Sequence, residues 1–470
     1  MAVEQDVGAV GATGILGPRH RRLTIGIVAT IVFIAFEAMA VATAMPKAVP
    51  ALDGMPLYAL AFSSFFTTSL FGMVLAGEVC DRRGPRLPVL SGTWLFTAGL
   101  LLAGTAQSMW PFVVGRAIQG MGSGIIIVAV YVLVGRAYDE DLRPRIFAAL
   151  SGAWVVPSII GPLVAGTLAD HVTWRLVFLG IAPLAVVPVV IALPSVTAHD
   201  GPPPAGPSIR RGRLRLALAA SVGMGALQVA GMRADLVAAG LVLIALALLV
   251  PSLPRLLPAG TLVFRRGLPT VVAMRGVLAG AFFGAEAFLP LMLVEERGLS
   301  TTLAGLALAG GALGWATGSW YQGRPGLTVP RHRLVRRGAV LVATGITGLG
   351  LVLVPGVPVL VAGLAWVVGA LGMGMAMASV GVLLFELSPV EEHGANSASL
   401  QLSDALYSIT FIGLAGVIFG SAHDPGGNTS AGVFAAILAV MAALAVFGAW
   451  AAGRVRVPDA RGEPVVPDVR

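Results

Sequence analysis

Four ionisable side chains lie inside apolar runs where a membrane helix would hold none: Glu37, Arg116, Glu286 and Asp404. A charge at the centre of such a helix costs roughly 2.5–3.5 kcal/mol, so each is expected to have a partner or a function. Glu37 falls about 8 residues, or about 12 Å, inside one end of its run, and Arg116 about 9 Å from the same side. At matching depths the two are expected to pair, which would tie protonation of the carboxylate to the arginine's surroundings. Glu37 is then read as a proton carrier or a holder of cationic substrate, with a static structural ion pair as the alternative. Glu37-Ala38-Met39 is echoed by Glu286-Ala287-Phe288 at similar depth, a trace of internal duplication. No arginine is evident at the height of Glu286, so a neutral, hydrogen-bonded acid is the alternative to a working group. Asp404 belongs to the stripe Ser397, Gln401, Asp404 and Ser408, one face of a helix. That stripe is expected to line a cavity or an interhelical polar seam.

The elements that must hold these groups follow from composition. Hydrophobic residues are 57% of the 470 and charged residues 11%, a balance that places most of the chain in lipid. Lipid offers backbone groups no partner, and the runs far exceed the length of a barrel strand, so helices are expected. Apolar runs fall near 24–46, 57–79, 87–107, 110–135, 146–168 and 174–194, then near 271–294, 300–321, 334–354, 357–386, 395–420 and 430–452. Between these two sets of six lie two further runs, near 214–232 and 234–253, read as an inserted transmembrane hairpin tipped by Arg233 to Asp235. They lack the basic polar face of a surface-lying helix, which disfavours a 12-helix reading with that segment on the membrane surface. The first run is long enough to span and is followed by others, so it reads as an uncleaved helix.

Most of the 31 basic residues fall on alternate loops: Arg19, Arg21 and Arg22; Arg82, Arg83 and Arg86; Arg136, Arg143 and Arg145; Arg210 to Arg215; Arg255, Arg265, Arg266 and Arg275; Arg324 to Arg337; and Arg454 onward. The other loops hold only Lys47, Arg175, Arg233 and Arg297. The positive-inside rule then puts both termini in the cytoplasm, and the net charge of +8 reflects topology and not nucleic-acid binding. Cys80, the lone cysteine, has no disulfide partner in the chain. Lys47, the lone lysine, is not in a phosphate-binding loop, and the scattered histidines form no metal-ligand spacing, so neither ATP hydrolysis nor a metal centre is expected.

The junction after the second run reads Gly77-Glu78-Val79-Cys80-Asp81-Arg82-Arg83-Gly84-Pro85-Arg86. It resembles the signature loop of the major facilitator superfamily, a conformational latch; Gly77 is expected to allow close helix packing, Asp81 to pair with an arginine or a helix end, and Gly84 to make the turn. Gly115-Arg116-Ala117-Ile118-Gln119-Gly120, with Gly122 and Gly124, is similar to the fourth-helix motif of that superfamily's drug:proton antiporters, where an intramembrane arginine governs proton transfer. Gly161-Pro162-Leu163-Val164-Ala165-Gly166 is similar to their fifth-helix antiporter motif, with Gly161, Pro162 and Gly166 in register. With the hairpin, these features resemble the 14-helix branch. Gly310, Gly314 and Gly318 are read as a helix contact.

The expected architecture is an all-α polytopic membrane protein with the major facilitator fold. Residues 1–195 form one six-helix half, 196–260 a cytoplasmic linker and the hairpin, 261–455 the second half, and 456–470 a cytoplasmic tail. The expected activity is proton-coupled efflux of small apolar or cationic molecules by a monomer without cofactor, in the cytoplasmic membrane. Glu37 and Arg116 would couple protons, and Glu286, Gln401 and Asp404 would line the substrate cavity. A narrow-specificity metabolite facilitator and a non-transporting membrane sensor are the rival readings.

Overall fold

The computed structural model describes residues 14–139, 142–201, 212–231, 233, 235–324, 327–389, 393–422 and 431–456. The linker at 202–211 and the tail beyond 456 therefore lie outside the described residues. The first half comprises α1 (Arg21–Ala48), α2 (Tyr58–Arg83), α3 (Arg86–Thr105), α4 (Met109–Ala137), α5 (Arg143–Gly152), α6 (Val155–His171), α7 (Arg175–Leu179) and α8 (Ile181–Ala198). The pair α9 (Gly212–Gly231) and α10 (Leu236–Leu256) follows. The second half comprises α11 (Leu268–Arg297), α12 (Thr301–Gln322), α13 (Arg331–Leu351), α14 (Leu360–Glu386), α15 (His393–Ala422) and α16 (Ala431–Ala451).

The structure is all-helical among the described residues, and twelve of its helical spans are long and apolar enough to cross a membrane. The fifth and sixth rods each break once, where continuous runs were expected. Pro157 and Pro183 explain both breaks. Each ring lacks an N–H and clashes with the carbonyl four residues earlier, at Ala153 and Leu179, so α5 ends at Gly152 and α7 at Leu179. The span α6 has only 17 residues, and α12 is diluted by glycine and threonine, yet the two pack side by side at the centre.

The halves repeat one packing scheme. In the first, α2 and α3 both pack on α4, while α6 and α8 both pack on α1; in the second, α12 and α13 pack on α14, while α15 and α16 pack on α11. Between halves, α2 meets α15 and α6 meets α12, the same contact made twice.

Glycines set these approaches. A β-carbon on Gly120 would meet the backbone of Phe65, with its Cα 2.6 Å away, and one on Gly124 would meet the backbone of Ser69. The second half repeats the contact: Gly314 and Gly318 press on the backbone of Val367 and Leu371, and Gly374 on that of Trp315. In both halves the helices close on backbone atoms that cannot swing aside, as small-residue membrane interfaces do. Gly310, the third of its series, only grazes Val367, at 3.3 Å.

The hairpin packs through α9 against α2 and α15, where the halves meet. Gln228 donates to Thr67 Oγ1 at 3.4 Å, and Gly231 sits against Val417. Its second helix is only 17% buried over its most apolar window, the mark of a lipid-facing helix. Asp235 caps that helix by accepting from Ala238 N at 3.0 Å and pairs with Arg233 at 2.6 Å, which holds its carboxyl below the usual range.

Arg82, Arg86, Arg136 and Arg331 mark one end of the bundle, the basic face. The opposite end is the far face.

Overpacking a backbone contact should cost about 1–3 kcal/mol or more. Gly120→Val and Gly314→Val are therefore expected to lower the temperature at which the detergent-solubilised protein loses monodispersity. Gly363→Val, which meets nothing within 4 Å, should not.

Candidate functional site

Glu37 and Arg116 meet. Arg116 Nη1 donates to Glu37 Oε1 and, at 2.7 Å, to Gln119 Oε1; its Nε donates to the Ala61 carbonyl at 3.3 Å. The guanidinium also stands 4.7 Å from the centre of the Phe65 ring. The group is thus boxed by an anion, an amide, a carbonyl and a π face. It is enclosed as well: Glu37 is 0% exposed and Arg116 3%. Among the described residues Glu37 Oε2 and Gln119 Nε2 have no hydrogen bond of ordinary geometry, though the Gln119 amide lies against the Glu37 carboxylate. Gln119 stood in the quoted fourth-helix motif, but nothing in its spacing singled it out as the third member.

Glu286 is not brought to that pair. It makes no ion pair or hydrogen bond among the described residues and is only partly buried. One helical turn away on α11, Phe283 faces Phe66 of α2 across the halves, ring centres 6.4 Å apart. This carboxylate therefore stands beside an aromatic contact between the two halves.

Asp404 and Gln401 are held by a residue assigned to the wrong place from sequence. Arg275, counted with the loop arginines, lies inside α11, about 10 Å from its basic-face end. Its Nε donates to Asp404 Oδ2 at 2.7 Å and its Nη2 to Gln401 at 3.4 Å. The loop tally erred because the run near 271–294 already contained Arg275, and one charge did not interrupt it. Arg275 is 24% exposed and Asp404 18%, so the pair sits at the rim of open space and not in a sealed core. Ser408 leaves the stripe: it is fully buried, while Tyr407 takes the half-open face beside Asp404.

The signature loop is organised differently from expectation. Gly84 makes the turn at φ +87°, and a β-carbon there would meet Asp200 and Gly201. Gly77 makes no close approach among the described residues; nothing lies within 4 Å of a β-carbon on it. Asp81 makes no ion pair among the described residues. The loop is tied by Arg136, which donates to Cys80 O at 3.1 Å and Gly201 O at 2.6 Å, and by Asp200, which accepts from Arg86 N at 3.3 Å. Arg82 pairs with Glu78 one turn back.

The fifth-helix motif lies on the seam between halves. Gly161 faces α1 at Met39, while Gly166 sits against Thr302, 2.5 Å from β-carbon to Cα. Gly305 returns the contact at the Pro162 carbonyl, 3.0 Å away. Just beyond, Asp170 accepts from Thr301 N at 3.2 Å, Thr302 N at 2.8 Å and Thr302 Oγ1 at 2.8 Å, capping the first turn of α12. Lys47 approaches the same carboxylate at 3.9 Å. Tyr58 adds a hydrogen bond to the Ala287 carbonyl at 3.0 Å and stacks near Phe288. These hydrogen bonds join the two six-helix halves on the far face, which is closed. Asp170 was missed because it ends an apolar run and reads as a loop residue.

Removing Arg275 leaves the largely covered Asp404 without its partner at the rim, a loss of about 1–3 kcal/mol. Arg275→Gln is expected to destabilise the detergent-solubilised protein by several degrees, and adding Asp404→Asn should restore most of the loss. Additive losses in the double variant would show that the pair is not coupled.

The sequence profile of the Major Facilitator Superfamily matches residues 25–409. The multidrug transporter protein MdtP of Bacillus subtilis is 28% identical over 168 residues, 36% of this chain and 31% of that one. The multidrug efflux pump SdrM of Staphylococcus aureus is 26% identical over 159 residues, 34% of this chain and 36% of that one. The chain thus spans about a third of the length of these curated relatives. Among solved structures, a POT family transporter in complex with 5-aminolevulinic acid superposes with TM-score 0.71 at 15% identity, covering 96% of this chain and 100% of that one. An auto-inhibited POT family peptide transporter gives 0.70 at 17% identity, covering 96% and 98%. These structures share the fold, and the profile spans most of the chain; the protein belongs to the Major Facilitator Superfamily.

Proposed function

We propose that this protein is a proton-coupled exporter of small apolar or cationic molecules, of the 14-helix drug:proton antiporter type, working as a monomer in the cytoplasmic membrane. The basic face and both termini would be cytoplasmic. The observation that carries this reading is the buried Glu37–Arg116–Gln119 cluster, in which Glu37 Oε2 accepts no hydrogen bond of ordinary geometry among the described residues. A carboxylate with one paired and one open oxygen can take a proton without first losing its geometry. Protonation would cancel the attraction to Arg116 and leave the guanidinium to Gln119, the Ala61 carbonyl and Phe65. The two charge states then favour different arrangements of the helices around α1 and α4. That gives a proton the differential contacts with which a ligand shifts a conformational equilibrium.

The wall between the halves supports this substrate class. Phe66 and Phe283 offer apolar surface, and Glu286 offers a carboxylate beside them, a combination suited to an apolar cation. The names of the bacterial relatives agree with drug export. A proton falling through ~100 mV supplies about 2.3 kcal/mol, enough to hold a gradient of roughly 50-fold. Closure by Asp170 at the far face, with the Arg136-tied loop at the basic face, would provide the two gates of alternating access.

Export of a panel of cationic and neutral compounds into inside-out vesicles tests this, with and without a proton ionophore. Wild type is expected to accumulate several of them in an ionophore-sensitive manner. Glu37→Gln should reduce gradient-driven accumulation to background yet keep downhill exchange within a few-fold, and substrate addition should no longer release protons. Glu286→Gln should lose cations selectively. Normal proton release from Glu37→Gln would remove that residue from coupling, and accumulation of one metabolite alone would favour a narrow-specificity facilitator.

A further inference from the structure

We propose that the groove between the basic-face ends of α12 and α13 binds an anionic phospholipid from the leaflet on that side. The site depends on membrane placement and not on the export reading. Both helices pack on α14, and where they diverge they leave a groove of about 620 Å³ floored by Leu371 and Met375 of α14. Its mouth holds Arg324, Arg336 and Arg337, and its walls include Trp320 and Leu341. Leu313 and Trp320 on α12 and Val340 on α13 are 58%, 60% and 48% exposed, so the groove opens sideways to lipid and not into the central space.

Among the described residues the charge at the mouth has no counterpart. Among the described residues no carboxylate lies within 4 Å of Arg324, Arg336 or Arg337, and Arg336 and Arg337 make no side-chain hydrogen bond. The Arg324 guanidinium stands over the Trp320 ring, 3.8 Å from its centre, which holds it at the height where indoles settle in a bilayer.

The equivalent place in the first half shows what is missing. There α2 and α3 diverge from α4 in the same way, but the chain fills the position itself. Glu78 pairs with Arg82, Asp200 accepts from Arg86 N, and Arg136 is satisfied by two carbonyls. The second half has the same architecture and more arginines, and among the described residues it lacks those acceptors. A phosphodiester supplies them: its oxygens accept from guanidinium groups, and its acyl chains lie along Leu371, Met375, Leu341 and Val340. Three charges at the surface of an anionic leaflet correspond to an affinity gain on the order of 100-fold over a zwitterionic lipid.

Phosphate could equally come from solution, so the test separates the two. The purified protein is placed in phosphatidylcholine nanodiscs containing phosphatidylglycerol with brominated acyl chains, or brominated phosphatidylcholine at the same fraction. Quenching at Trp320 is read as the difference between wild type and Trp320→Phe. Brominated phosphatidylglycerol should quench Trp320 well beyond the phosphatidylcholine control. Arg324→Gln/Arg336→Gln/Arg337→Gln should raise the fraction required on the order of 100-fold, whereas the corresponding triple lysine variant should retain most of the preference. Millimolar inorganic phosphate should not reverse the quenching. Equal quenching by both lipids, an unaffected glutamine variant that remains monodisperse, or full reversal by inorganic phosphate would each overturn the proposal.

Discussion

Helices in lipid gain nothing by hiding apolar surface from one another, so they must associate by approaching closely enough for dispersion and backbone contacts to hold them. This constraint organises the molecule. Gly120 and Gly124 bring α4 onto α2, and Gly314, Gly318 and Gly374 bring α12 onto α14, with backbone against backbone in both halves. Because those faces are fully used in packing, the remaining faces of the same helices define the seams between halves and the grooves around them. The groove that opens between α12 and α13 is a direct result, since both are drawn to α14.

Placing charge within such a frame has three outcomes here. Glu37 is paired and sealed with Arg116; Asp404 is paired with Arg275 at the rim of open space; Glu286, among the described residues, stands without an ion pair beside the Phe66–Phe283 contact. The differences are differences of access. On the proposed reading, a sealed pair would exchange its proton only when the surrounding helices move, which would tie protonation to conformation. A rim pair can exchange without that movement, and its removal is chiefly a matter of stability.

The far face closes by a different device. One carboxylate, Asp170, receives three donors from the first turn of α12, so the end of a helix in one half is completed by the other half. Opening this seam would expose those donors together, which makes the closure cooperative. Gly166 and Pro162 of the fifth-helix motif lie immediately beneath it, where a larger side chain would hold the seam apart.

The sequence by itself determined that the chain is helical and membrane-embedded, with two six-helix halves and a helical pair between them. Those features are set by local quantities: run length, apolar content and the spacing of loop arginines. It also placed Glu37 and Arg116 at one depth, because a helix converts residue number into height at a constant rise. Height alone does not give azimuth. Only the tertiary structure decided that Gln119 and Phe65 complete the cluster, that Arg275 turns inward to Asp404, that Gly77 faces open space, and that Asp170 reaches across to α12. Each of these depends on how a helix is rotated against its neighbour, and rotation is set by the whole contact surface of both helices and not by the residues of either one.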